Sequence, residues 1–291
     1  MIIDLRYHIA SLVAVFLALG LGILVGGIFL KSDILVNRQK ELTDRLEVQI
    51  EQLRQKNETV EKELSSLKLN YKAQGDFEKQ VLPILVKGRL QGYQLAVVET
   101  NNYSFSNNII EAIQLSGAEV SSVTTLIGDL NEPANKELLK GQKGWENVNE
   151  NQLAAHLAGE IVRGLLGEGN SGQINSLVEA GLIKVSGEYG KPLKGVIIAG
   201  GSQEHEIIKI SSVDLPMIDL LLARQIPVYS VEETITSYSY MKEYQKKRIS
   251  TVDNIDTVSG QAALVMAIAG QAGHYGIKPT AQKLVPALSL E

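Results

Sequence analysis

At 291 residues, 44% hydrophobic and 21% charged, the chain has the composition of a folded protein, with room for two ordinary domains or one domain plus long non-globular elements. A net charge of −5 supplies no global basic field, so nucleic acid is not an expected partner. The absence of cysteine excludes disulfides, thiolate metal sites and cysteine nucleophiles, and four His and four Met limit imidazole and thioether chemistry.

The first predicted element is a membrane anchor within residues 1–31. From Ile9 to Leu30 no side chain is charged, and as a helix this stretch rises about 33 Å at about 1.5 Å per residue, against a hydrocarbon core of about 30 Å. A cleaved signal peptide is the competing reading, but its apolar region runs about 7 to 15 residues and ends in a small-residue site. This run is longer, and no such site precedes Lys31. Ala10, Ala14, Ala18, Gly22 and Gly26 recur at every fourth position. Small residues in that register let two helix backbones approach closely, although Ala and Gly are also common in any membrane helix.

Residues 32–75 read as a helical stalk. Leu46, Leu53, Val60 and Leu67 recur every seven residues, which is a coiled-coil signal. If they are position a, position d reads Leu42, Gln49, Lys56, Glu63 and Asn70. A polar d column means a weak or partner-dependent coiled coil. A solvated helix folded back on the globular domain is the alternative. Because the anchor also favours pairing, the expectation is a parallel dimeric stalk. Gly75 and Pro83 are expected to break the helix and mark the domain boundary.

Residues 76–291 alternate short apolar runs with helix-period segments. Strands are predicted at 93–99, 118–126, 195–199, 226–231 and, as the last, 249–252. Helices are predicted at 106–116, 149–167, 215–224 and 257–269. That alternation predicts a Rossmann-like, doubly wound and mostly parallel α/β sheet covered on both faces. Ligands of such sheets bind outside the carboxyl ends of the strands. There the sequence offers Glu99, Thr100, Asn101 and Asn102, then Gly200, Gly201 and Ser202, then Ser230, then Asp253, Asn254 and Asp256. Strand-to-helix turns use these residue types in any case. No GxGxxG follows the first strand and no GxxxxGK[ST] occurs, so the usual nucleotide fingerprints are missing.

No catalytic constellation emerges. His8, His156, His205 and His274 are far apart, and no HExxH or GxSxG is present. Glu204-His-Glu206 reads as a solvated loop, because consecutive helical residues point in different directions. Lys242, Lys246, Lys247 and Arg248, near Tyr238, Tyr240 and Tyr244, read as one polar helix face or as a contact for an anionic surface.

The opening Asp4-Leu-Arg-Tyr-His8, running into Ser11-Leu-Val-Ala-Val-Phe-Leu-Ala-Leu-Gly-Leu-Gly22, resembles the start of the MctB family of copper transporters, also called copper-transport outer membrane proteins. Val252-Asp-Asn-Ile-Asp256, Gly260-Gln-Ala-Ala-Leu264 and Gly273-His-Tyr-Gly276 resemble that family's C-terminal end. The resemblance implies a role in copper homeostasis or ion transport through an envelope pore, and some relatives are associated instead with septation. The residues themselves show no copper-ligand cluster. A barrel pore needs many strands of about ten alternating residues, whereas this C-terminal half reads as α/β.

The resulting expectation is a non-enzymatic, single-pass envelope protein without a cofactor, acting as a homodimer or higher oligomer through anchor and coiled coil. Alternatives are a septation scaffold with an envelope protein partner, or a small-ligand-binding α/β domain. Lys31, Arg38, Lys40 and Arg45 outnumber Arg6 and would hold the soluble domain in the cytoplasm, whereas the resemblance implies an extracytoplasmic domain. The expectation adopted is the latter.

Overall fold

The structure, a computed structural model, describes residues 5–29, 32–103, 106–127, 129–130, 132–169, 171–205 and 209–287. Leu30 and Lys31, where the anchor is expected to end, and Glu206 lie outside the described residues. The chain divides into two units, residues 1–74 and 75–291.

The first unit is helical. Helix α1 spans Leu5–Phe29, and within it Arg6–Ile28 is long and apolar enough to cross a membrane, the one such helix among the described residues. Helix α2 spans Ser32–Val86. The expected break at Gly75 and Pro83 is therefore corrected, since both lie inside the helix. A helical Gly costs only about 1 kcal/mol. Pro83 removes one hydrogen bond near the helix end, where burial of Leu82 and Val86, together with Leu90 beyond it, holds the turn.

In the second unit the strands are β1 Gln94–Glu99, β2 Glu119–Leu126, β3 Ile183–Gly187, β4 Gly195–Ala199, β5 Val228–Val231, β6 Ser250–Val252 and β7 His274–Tyr275. They form one sheet in the order β3-β2-β1-β4-β5-β6-β7. Every pairing is parallel except β2 with β3. The order reverses direction between β1 and β4, the place where the crevice of an open α/β sheet forms.

The other helices are α3 Ser106–Leu115, α4 Pro133–Lys140, α5 Leu153–Leu165, α6 Ser171–Glu179, α7 Leu215–Ala223, α8 Met241–Gln245 and α9 Val258–Ile268. Alternate residues of β1 serve opposite layers, as strand geometry requires. Ala96 and Val98 join a core with Trp145, Leu157, Ile161, Leu221 and Tyr244. Leu95 and Val97 join the other core, with Val86, Ile113 and residues of α9. The sheet is thus covered on both faces, as expected of the doubly wound reading.

Several elements depart from expectation. The 149–167 helix begins with a 3-10 turn at Glu150–Gln152, entered from Asn149, whose side chain accepts the Asn151 N–H. Strand β6 is not the last, because β7 follows it. Strands β3 and β7 and helices α4, α6 and α8 are additions to the sequence reading. One turn of π-helix at Ile210–Asp214 precedes α7.

Candidate functional site

The carboxyl ends of β1, β4, β5 and β6 are lined with polar residues, and most are buried. Glu99, Thr100, Asn101, Ser202, Ser230, Glu232, Asp253 and Asn254 all belong to this layer. Adjacent strand ends are tied to one another: Thr100 N–H donates to the Ala199 carbonyl at 3.0 Å, and Gly200 N–H to the Val231 carbonyl at 3.0 Å. The Asn101 amide donates to the Gly201 carbonyl.

At the point where the strand order reverses, the chain places Lys209 and Asp214, one on each end of the π-helical turn. Lys209 Nζ donates to the Thr100 carbonyl at 2.9 Å. Asp214 Oδ2 accepts the Thr100 hydroxyl at 3.1 Å and the Tyr244 hydroxyl. Burial pushes the Asp214 carboxyl up to about 6, and the Tyr244 and Thr100 hydroxyls and the Lys209 ammonium oppose that rise. Burial lowers Lys209 to about 8 against the pull of Asp214 and Asp129. Tyr244, buried beside that carboxylate, is raised well above its ordinary value. Gly200 is required here, because a Cβ on it would overlap the Tyr244 hydroxyl and lie 2.9 Å from Asp214 Oδ2.

A second polar cluster closes β5 and β6. Glu232 Oε1 accepts Ser239 Oγ at 2.5 Å and Lys278 Nζ at 2.6 Å, while Oε2 accepts the Tyr240 N–H at 3.1 Å. Burial raises the Glu232 carboxyl, opposed chiefly by the Lys278 ammonium. Asp253 Oδ1 accepts the Ile277 N–H at 2.8 Å, so the segment after β7 is strapped over these strand ends.

Of the strand-end residues named from sequence, Asn102 and Asp256 are exposed, while the others lie buried at the strand ends. Asp256 is exposed and spends its carboxylate on the Thr234 N–H at 2.7 Å and hydroxyl at 2.9 Å. Glu99 is satisfied by the Ser106 N–H at 2.7 Å and Thr125 Oγ1 at 2.6 Å. Ser202 Oγ donates to the Glu204 carbonyl at 2.6 Å, and Asn254 Nδ2 donates to Thr257 Oγ1 at 2.9 Å beside the start of α9. Sequence reasoning missed Lys209, Asp214, Glu232, Tyr244 and Lys278, because each meets its partner only through the fold. The basic cluster also reads differently in three dimensions. Tyr240 and Tyr244 are core residues, Lys247 pairs with Asp219 at 2.7 Å and Lys246 with Glu243 at 2.6 Å.

The family profile described as copper transport outer membrane protein, MctB, matches residues 2–286. The chain belongs to the MctB family. A search of curated proteins finds no match. Membership makes this a copper-transport-related membrane protein at the level of the family, and α1 supplies its membrane-associating helix.

Copper would be cargo for an MctB-family chain, and no group of three or more His, Asp or Glu among the described residues is placed to hold a metal ion. His156 lies edge-on to Trp145, and His205 edge-on to Tyr238. His274 Nδ1 is 3.1 Å from Thr251 Oγ1. Two grooves flank β3. One, of about 520 Å³, is lined by Gly164, Ile174, Val178, Val185, Gly187 and Tyr189. The other, of about 290 Å³, is lined by Asn102, Asn107, Thr125, Lys184 and Ser186, among others.

Proposed function

We propose that this MctB-family protein is a membrane-anchored envelope component that works by self-association and partner contact, without catalysis of its own. The observation that carries the reading is the exposed apolar register of the two long helices. Along α1 the small residues Ala10, Ala14, Ala18, Gly22 and Gly26 lie exposed at every fourth position, a spacing that favours close helix pairing in lipid. Along α2, Leu46, Leu53, Val60 and Leu67 are each at least half exposed at heptad spacing, which suits burial against a second helix.

The strand-end layer supports the non-catalytic part of the reading. Its carboxylates are engaged by the chain's own hydroxyls, backbone N–H groups and the ammonium group of Lys278. We place the second unit outside the cytoplasm, as the family's envelope role suggests. A periplasmic-type reporter fused after Glu291 would be active in that orientation, and a cytoplasmic-type reporter active at the same point would reverse it.

Because the chain has no cysteine, single cysteines can be introduced without background. Gly26→Cys and Leu53→Cys should each give disulfide-linked dimers in native membranes. Gly22→Ile should reduce that crosslinking several-fold by holding the helices apart. Monomers alone at both positions would overturn the self-association reading.

A further inference from the structure

We infer that α2 joins a second copy of this chain as a parallel, two-stranded coiled coil, with Asn57 facing Asn57 in the seam and with ion pairs from Lys56 to Glu61 and from Glu63 to Lys68 of the facing copy. This deepens the self-association reading and rests on it, by assigning the number of strands, their direction and their register.

The heptad column Leu46, Leu53, Val60 and Leu67 can sit at position a or at position d, and its neighbours decide which. At a, it leaves Gln49, Lys56, Glu63 and Asn70 at d, and in a parallel homodimer each of those charges would face its own copy. At d, it brings Ile50, Asn57, Leu64 and Tyr71 to a. From Leu46 to Tyr71 the seam is then apolar everywhere except at Asn57, and every one of its residues is exposed on α2. An apolar stripe of that length is stable in water only when another surface covers it. Leu at d with a β-branched residue at a, here Ile50, favours two strands, and a single Asn at a fixes register and strand number. The reason is that a buried amide is satisfied by the same amide of the facing helix and left unpaired by an apolar side chain.

The charges beside the seam agree with that register. Lys56 and Glu63 fall at g, Glu61 and Lys68 at e. In a parallel, in-register pair a g residue meets the e residue of the following heptad on the facing helix. Lys56 then meets Glu61 and Glu63 meets Lys68, opposite in sign both times. On their own helix none of the four has an opposite charge three or four residues away, and none forms an ion pair with another described residue. Their charges are therefore free for a second helix. Slipped registers are opposed. Sliding one helix by a heptad sets Asn57 against Leu64 on one side and Ile50 on the other, and it brings Lys56 against Lys68 and Glu63 against Glu61. Like charges at those places repel, so the pattern selects the in-register pair as well as stabilising it.

The test reads disulfide crosslinking of the full-length chain in native membranes. Asn57→Cys should crosslink to its own copy, and Lys56→Cys several-fold less; the alternative seam, with position 56 at d, demands the reverse. With Leu67→Cys as reporter, Lys56→Glu and Glu61→Lys should each lower the dimer yield about fivefold, and the two together should restore it. Glu58→Lys, at b on the outer face, should leave it unchanged. Sedimentation of the purified protein in detergent should give dimers for the wild type and a mixture of dimers and trimers for Asn57→Ile. Crosslinking at 56 equal to or above that at 57, no rescue by the double change, or wild-type trimers would overturn the proposal. If dimers still form at Gly26→Cys and Leu53→Cys, those outcomes sink the register alone and leave self-association standing. Monomers throughout overturn both.

Discussion

Asp214 has no exposed surface, and its carboxyl is raised by burial from 3.8 to about 6. The folded chain therefore holds an extra proton between those values, and this group's contribution to stability falls as pH rises through that window. A rise of roughly two pH units corresponds to about 3 kcal/mol. Lys209 acts in the opposite window. Lowered from 10.5 to about 8, it makes stability rise as pH climbs from about 8 toward 10.5. The buried single tryptophan, Trp145, can report unfolding. Wild-type stability minus that of Asp214→Asn should fall between pH 4 and 6 and level off above. A flat difference would show that Asp214 titrates normally. At the same locus Gly200→Ala should cost about 2 kcal/mol through overpacking against Tyr244, measurable as a lowered denaturation midpoint with an unchanged slope. The sequence marks Gly200-Gly201 as a strand-end turn. It does not show that the missing Cβ makes room for Tyr244, because that contact joins residues far apart in the chain.

At the scale of elements, legibility follows burial. Strands β1 and β4 are apolar runs buried on both faces, so composition alone marks them. Strand β3 is Ile-Lys-Val-Ser-Gly, half exposed at a sheet edge, and carries too little apolar signal to be read. Strand β7 has only two residues. The misread end of α2 has a different cause, since local propensity argues for a break at Pro83 and core packing of Leu82 and Val86 overrides it. The strap after β7 is held by Lys278 on Glu232, whose side chain is wholly buried. Lys278→Ala should destabilise by about 3 kcal/mol, because it leaves a buried carboxylate without its cation. The double variant Lys278→Met with Glu232→Gln should recover much of that loss in chemical denaturation. If the double variant is no better than the single, packing and not charge holds the strap.

At the scale of the molecule, the apolar first helix, the long second helix and the α/β unit are legible as blocks, since each has its own periodicity. Strand order is not, because nothing local says that β4 returns beside β1. The polar layer at the strand ends was legible as a set of residues, but its inward use was not. The two sheet edges differ in a way that limits growth. Residues 282 and 283 seal the β7 side, while no strand among the described residues pairs with the outer side of β3. Stacking copies edge to edge into a fibre requires two open ends on every unit. With one end sealed by its own chain, the sheet offers no second edge for a copy to join, so edge-to-edge growth into a fibre is blocked.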